Sequence, residues 1–195
     1  QQASLTELAL SGRHQRRNAA VAAAVIWQLQ GRLNGAVVPF QAERSIERGL
    51  AVTSWPGRLE RIGDVLFDGA HNLDGVEALI DYLEREGPGA ERTLLVFGVM
   101  EGKQWHEMLD RLAPWCRRRF YCPPLEPMAG RRSMPPPALA ERHAGEVFDT
   151  PTAAMRAARG AAGGDDVVVV CGSLFLVGAL RAALLDIPRD VILPL

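Results

Sequence analysis

This 195-residue chain lacks several features that would quickly place it. It has no GxxxxGK[ST] loop to cradle β- and γ-phosphates through backbone N–H groups, and no GxGxxG dinucleotide fingerprint. Cysteine is scarce: Cys116, Cys122 and Cys171 are odd in number and have no metal-ligand spacing. That argues against a disulfide framework or a thiolate metal site and points to reduced thiols of a cytoplasmic protein. No run approaches the roughly 18 apolar residues of a membrane span, and the start lacks the charge-then-apolar order of a signal peptide. The net charge of −1 leaves no electrostatic footprint for nucleic acid or an anionic membrane, so any phosphate binding has to be local. The chain opens on Gln1-Gln2 without a methionine, from which a fragment or a trimmed chain is expected.

What is present is ordinary for a globular protein, 48% hydrophobic and 23% charged, with length for one sizeable domain or for one domain with an appendage. Ser4 to Gln30 carries one alanine-rich helical signal, with Ser11-Gly12 at the entry and Gly31 near the exit. Asn18 then falls in the first turns, at the electropositive end of the helix, as a ligand contact or as a plain exposed or capping amide. Arg32 to Arg48 contains Asn34-Gly35 and Pro39 and reads as a linker with a short helix. A domain boundary is expected near Pro39, dividing residues 1–39 from 40–195.

The stretch WPGRLERIGDVLFDGAHN, Trp55 to Asn72, organises the remainder. It reads as an arginine-bearing turn, a strand from Leu59 to Ile62, a Gly63-Asp64 turn and a buried strand from Val65 to Phe67. A polar elbow, Asp68 to Asn72, opens onto a helix, with Asp74 and Glu77 at capping-box spacing. Beyond it, helical periodicity alternates with short apolar runs, Leu94 to Phe97 and Arg119 to Cys122 among them. The segment from Pro123 to Pro137, rich in proline and basic residues, is expected to be a loop. VVVVC, Val167 to Cys171, is the strongest strand signal, and its unbroken hydrophobicity indicates burial on both faces. Strands that alternate with helices in this way predict an α/β fold, a Rossmann-like, mostly parallel sheet with helices on both faces.

In such a sheet the polar groups after two strands, Asp68 to Asn72 and Ser173, share the ligand-binding edge. Asp68 suits ribose hydroxyls or a loop-stabilising role. His71 suits a carboxylate or phosphate oxygen, and Arg58 offers a planar fork for phosphates. Ser173 heads a helix and suits either an anion or a plain N-cap.

His14-Gln15-Arg16-Arg17-Asn18-Ala19-Ala20, WPGRLE from Trp55, DGAHN from Asp68 and VCGSLFLVG from Val170 resemble, in order and spacing, the Mur ligase family. The last motif and WPGRLE are similar to its folylpolyglutamate synthase and dihydrofolate synthase branch rather than to the peptidoglycan branch. The resemblance runs from Leu10 to Leu185. It implies an ATP-dependent ligase that adds L-glutamate to dihydropteroate or folate through an acyl phosphate. Residues 1–39 would be the last helix and linker of a central ATPase domain, and residues 40–195 the carboxyl-terminal domain. By matching motif, Asn18 would bind adenine, Arg58 the ATP phosphates as a catalytic group, and Asp68 the ribose. His71 would be catalytic and, with Ser173, would face the incoming glutamate. ATP and Mg²⁺ are implied as substrate and cofactor, with the metal ligands in the central domain. A cytoplasmic monomer without nucleic-acid or membrane partners is expected, inactive as this piece alone. The position after His71-Asn72, commonly proline in the family, is Leu73 here. A non-catalytic α/β binding domain and a peptidoglycan-type ligase domain are the competing readings.

Overall fold

The computed structural model describes residues 8–33, 42–124 and 132–188. The chain divides into two compact units, Gln1–Pro56 and Gly57–Leu195. Pro39, the expected boundary, lies outside the described residues, as do residues 125–131 of the proline-rich segment, whose last two prolines instead begin a helix, and the first part of the expected amino-terminal helix.

In the first unit, helix α1 spans Arg13–Leu33 and α2 spans Ala42–Val52. α1 starts directly after Gly12, whose φ of 92° breaks the helical path before it, and runs on past Gly31. Ala23 and Ile26 of α1 pack against Ile46 and Leu50 of α2, an approach that small alanine side chains permit. The Ala9 N–H donates to the Leu50 carbonyl at 3.1 Å and ties the segment before α1 to the end of α2.

The second unit is the predicted α/β fold. In chain order it runs β1 (Glu60–Ile62), β2 (Val65–Phe67), α3 (Leu73–Glu86), β3 (Thr93–Phe97), α4 (Trp105–Leu112) and β4 (Arg118–Tyr121). It continues with α5 (Pro136–Arg142), β5 (Glu146–Val147), α6 (Pro151–Ala161), β6 (Val167–Cys171) and α7 (Leu174–Leu185). The six strands lie in the order β1-β2-β6-β3-β4-β5. Among the described strands the β1–β2 hairpin is antiparallel and the other pairings are parallel.

All five residues of β6 are buried, as its unbroken apolar run predicts. Alternate residues face opposite layers. Val167, Val169 and Cys171 join Leu66, Leu95 and Phe97 under α3, α4 and α5, where Val76, Leu79, Met108 and Leu139 complete the core. Val168 and Val170 join Val65, Phe67, Leu94 and Val96 under α6 and α7, against Met155, Leu176 and Leu180. Each valine so buried contributes about 1.5–3 kcal/mol relative to exposure. The central strand therefore anchors both layers.

Two local expectations are corrected. The cap of α3 is Asn72, whose side chain accepts from the Gly75 N–H at 2.9 Å; Asp74 lies in the first turn instead. A short amide at the N-cap satisfies a terminal N–H without needing the expected capping box. Leu59 is not the first residue of β1: its φ is 48°, the left-handed region, and the strand starts at Glu60.

Candidate functional site

β2 and β6 are neighbours and parallel, so Asp68 and Gly172 follow them at the same sheet edge. The helix after β2 packs on one face and the helix after β6 on the other. Connections that part to opposite faces leave a crevice between two strand ends, where ligands bind in open α/β sheets. Two backbone bonds lock the lips of this crevice. The Asp68 N–H donates to the Val170 carbonyl at 3.0 Å, and the Gly172 N–H donates to the Ala70 carbonyl at 2.8 Å. Gly172 has a φ of 102°, and a Cβ there would stand 2.7 Å from the Gly98 carbonyl oxygen, so only glycine closes this corner.

Asp68 is buried, and each of its carboxylate oxygens accepts a backbone N–H. Oδ1 takes that of Ala70 at 2.9 Å and Oδ2 that of Leu59 at 3.0 Å. The first bond shapes the elbow as an Asx turn. The second reaches back over the hairpin and holds Leu59 in a conformation that costs a branched side chain about 1–2 kcal/mol.

Arg58 sits in the turn before Leu59. The Gly57 N–H donates to Glu60 Oε2 at 2.7 Å, and the Gly57 carbonyl accepts from the Gly69 N–H at 2.7 Å. A Cβ on Gly57 would lie 2.6 Å from Val177 Cγ1, so the turn is pressed onto α7. Glu60 in turn receives Arg181 of α7 in a two-pronged ion pair, Nε to Oε2 at 2.7 Å and Nη2 to Oε1 at 2.9 Å. That hydrogen-bonded pairing is the main cause that holds the Glu60 carboxyl below its ordinary range, against the opposing effect of burial. The half-buried Arg58 side chain itself makes no hydrogen bond or ion pair with any described residue.

His71 Nδ1 lies 2.8 Å from the Gly69 carbonyl oxygen. A carbonyl can only accept, so Nδ1 carries the hydrogen and Nε2 is the atom left to meet a ligand. Ser173 is buried and caps α7, its Oγ accepting from the Phe175 N–H at 3.2 Å; the plain N-cap reading is thus realised, and the hydroxyl hydrogen remains to be donated. Arg58, Asp68, His71 and Ser173 therefore assemble in the second unit. Asn18 belongs to the first, exposed on α1, with its Nδ2 donating to Gln15 Oε1 at 3.2 Å.

Cys171 forms the buried floor beside these groups; burial, and then the charge of Asp68, push its thiol well above the ordinary range and leave it inert. Among the described residues no three His, Cys, Asp or Glu side chains gather in a way that could hold a metal ion. Glu60 and Arg181 are the site residues that sequence reasoning missed. A signal existed: Arg181 is the one charge in LFLVGALRAALL, and a lone charge on an apolar helix calls for a partner.

Residues 57–174 match the family described as Mur ligase, glutamate ligase domain. The folylpolyglutamate synthase of Lacticaseibacillus casei is 31% identical over 183 residues, 92% of this chain and 40% of that protein. The solved structure of Escherichia coli FolC in complex with DHPP and ADP is similar at a TM-score of 0.71 and 29% identity, over 87% of this chain and 39% of that one. The Yersinia pestis bifunctional folylpolyglutamate synthase/dihydrofolate synthase, complexed with AMPPNP and Mn ion, is similar at a TM-score of 0.65 and 28% identity, over 76% of this chain and 35% of that one. The chain thus spans about two fifths of the length of the Lacticaseibacillus casei relative.

Proposed function

Because this chain belongs to the Mur ligase family through its glutamate ligase domain, we propose that it is the carboxyl-terminal part of an ATP-dependent ligase joining L-glutamate to dihydropteroate, to folate, or to both. The ADP, DHPP and AMPPNP in the relatives' structures support that reading. In the proposed reaction ATP phosphorylates the substrate carboxylate. The glutamate amine attacks the acyl phosphate, and the tetrahedral intermediate collapses to an amide with release of phosphate.

Each residue has a part that its geometry suits. Arg58 stabilises the negative charge on the phosphates during transfer, its planar fork matched to their oxygens. His71, with Nδ1 tied to Gly69, presents Nε2 to the glutamate or the acyl phosphate. Ser173 donates its hydroxyl hydrogen to an oxygen of the same ligand. Asn18 pairs with adenine through an amide that both donates and accepts. Asp68 fixes the hairpin and, in this reading, also meets the ribose hydroxyls. The divalent ion that accompanies the nucleotide, Mg²⁺ in our reading, neutralises phosphate charge when bound. In this reading a central domain of the ligase would supply the protein ligands of that ion. We place the ligase in the cytoplasm as a monomer.

One observation carries this proposal: a guanidinium that no described residue engages, on a turn whose backbone is held by the Glu60 and Asp68 carboxylates and by the Gly69 N–H, beside the crevice between β2 and β6. In the ligase that contains this chain, Arg58→Ala should lower kcat on the order of 10²–10³-fold while leaving the thermal midpoint in place. An unchanged rate removes Arg58 from the mechanism. The 195 residues alone should not turn over ATP with glutamate and folate; turnover would sink the division of labour between domains.

A further inference from the structure

Arg58 is aimed by atoms other than its own. The turn that bears it is gripped on both sides: Glu60 Oε2 accepts the Gly57 N–H, and Asp68 Oδ2 accepts the Leu59 N–H. The Asp68 grip comes from the elbow, which the sheet holds. The Glu60 grip is only as firm as Glu60 itself, a side chain on a three-residue edge strand. Arg181 supplies the firmness. Its fork takes both Glu60 oxygens at 2.7 and 2.9 Å, from a helix whose neighbouring residues Val177 and Leu180 are buried in the core. The two side chains are 22% and 24% exposed, so water competes weakly for the pair. One oxygen, Oε2, receives both the Arg181 Nε–H and the Gly57 N–H, which makes a direct relay from α7 to the turn. Arg181 and Glu60 are 121 residues apart in the chain, so the pair joins the last helix to the first strand of the unit.

We infer that Arg181 is a positioning residue for Arg58: through the shared Glu60 carboxylate it fixes the turn Gly57–Leu59 and so the direction in which the Arg58 guanidinium points. This rests on the reading of Arg58 as the phosphate-stabilising group. Exposed ion pairs contribute little on their own, about 0–1 kcal/mol. A two-pronged, largely buried pair that also carries a turn N–H restricts geometry, and a displacement of about 1 Å at a catalytic group can cost on the order of a hundredfold in rate.

The test is a double-mutant cycle in the ligase that contains this chain, reading kcat and the KM for ATP. Arg181→Met removes the fork while keeping much of the apolar stem, and should lower kcat by about tenfold to a hundredfold. Combined with Arg58→Ala it should lower kcat no further than Arg58→Ala alone, because a mis-aimed guanidinium that is absent cannot matter. Arg181→Lys, which keeps the charge but not the fork, should fold normally and show an intermediate loss; it stands in for Met in the cycle if the Met variant does not fold. Losses that multiply in the double variant, or full activity in Arg181→Met, overturn the inference while the role of Arg58 stands. A silent Arg58→Ala overturns the underlying reading, and the inference with it. A purely structural ion pair would lower the thermal midpoint in both backgrounds equally and give multiplying losses.

Discussion

Asp68→Asn tests how the hairpin is held. In the native structure two buried backbone N–H groups, of Leu59 and Ala70, each have one carboxylate oxygen as acceptor. Hydrogen bonds to a charged acceptor contribute about 1.5–3 kcal/mol each. Asparagine keeps one oxygen and turns an NH₂ toward the other N–H, so one bond weakens to the neutral kind and the other is replaced by two donors face to face. The loss is about 2–4 kcal/mol; relaxation of Leu59 out of the left-handed region returns about 1 of it. Urea denaturation of the 195-residue chain, followed by Trp105 and Trp115 after Trp27→Phe and Trp55→Phe, reads the second unit alone. The midpoint should fall with the slope unchanged, for a net loss of about 1–3 kcal/mol. Amide exchange at Leu59 and Ala70 should speed up at the same time. A loss below about 0.5 kcal/mol with both amides still protected would refute the reasoning, since the bonds would then not depend on a carboxylate.

The remaining predictions concern protons and thiols. Glu60 titrates below the ordinary value of 4.5, so its contribution to stability is complete above that pH and is lost as the pH falls through its depressed value. Glu60→Gln should therefore be less stable than the parent at pH 6 and should flatten the acid limb of a stability-against-pH curve, as read by urea midpoints. Burial pushes the Cys116 and Cys122 thiols up to about 12 and raises that of Cys171 well above its ordinary range. None of the three should react with a thiol reagent at pH 8 until urea unfolds the chain. Rapid labelling of one in the native state would contradict its burial.

The sequence made the sheet legible because β6 is apolar at five successive positions and because the helical stripes, such as Val76, Leu79 and Leu83, follow a 3.6-residue period. It also made the shared edge legible, since parallel strands end on one side; Asp68 and Ser173 could be paired without coordinates. Backbone conformation was harder to read. Leu59 in the left-handed region runs against its side-chain preference and is sustained by Asp68, nine residues on. The cap at Asn72 competed with a plausible Asp74, and only the elbow's path decides between them. The Glu60–Arg181 pair depends on the packing of α7 against the hairpin, which no local pattern encodes.

The strand order carries a consequence for how the protein comes to exist. β2 and β3 do not pair with one another; each pairs with β6, the last of the described strands in chain order. Until Val167–Cys171 has emerged and inserted, the hairpin has no sheet to belong to, and Phe67 and Val170 must find each other across roughly a hundred residues of chain. Such distant pairing makes folding slow and leaves apolar strand edges open meanwhile. A ribosome stalled before β6 holds two half-sheets and no crevice, and protection of the Asp68 amide, which bonds to Val170, would time the moment the site is born.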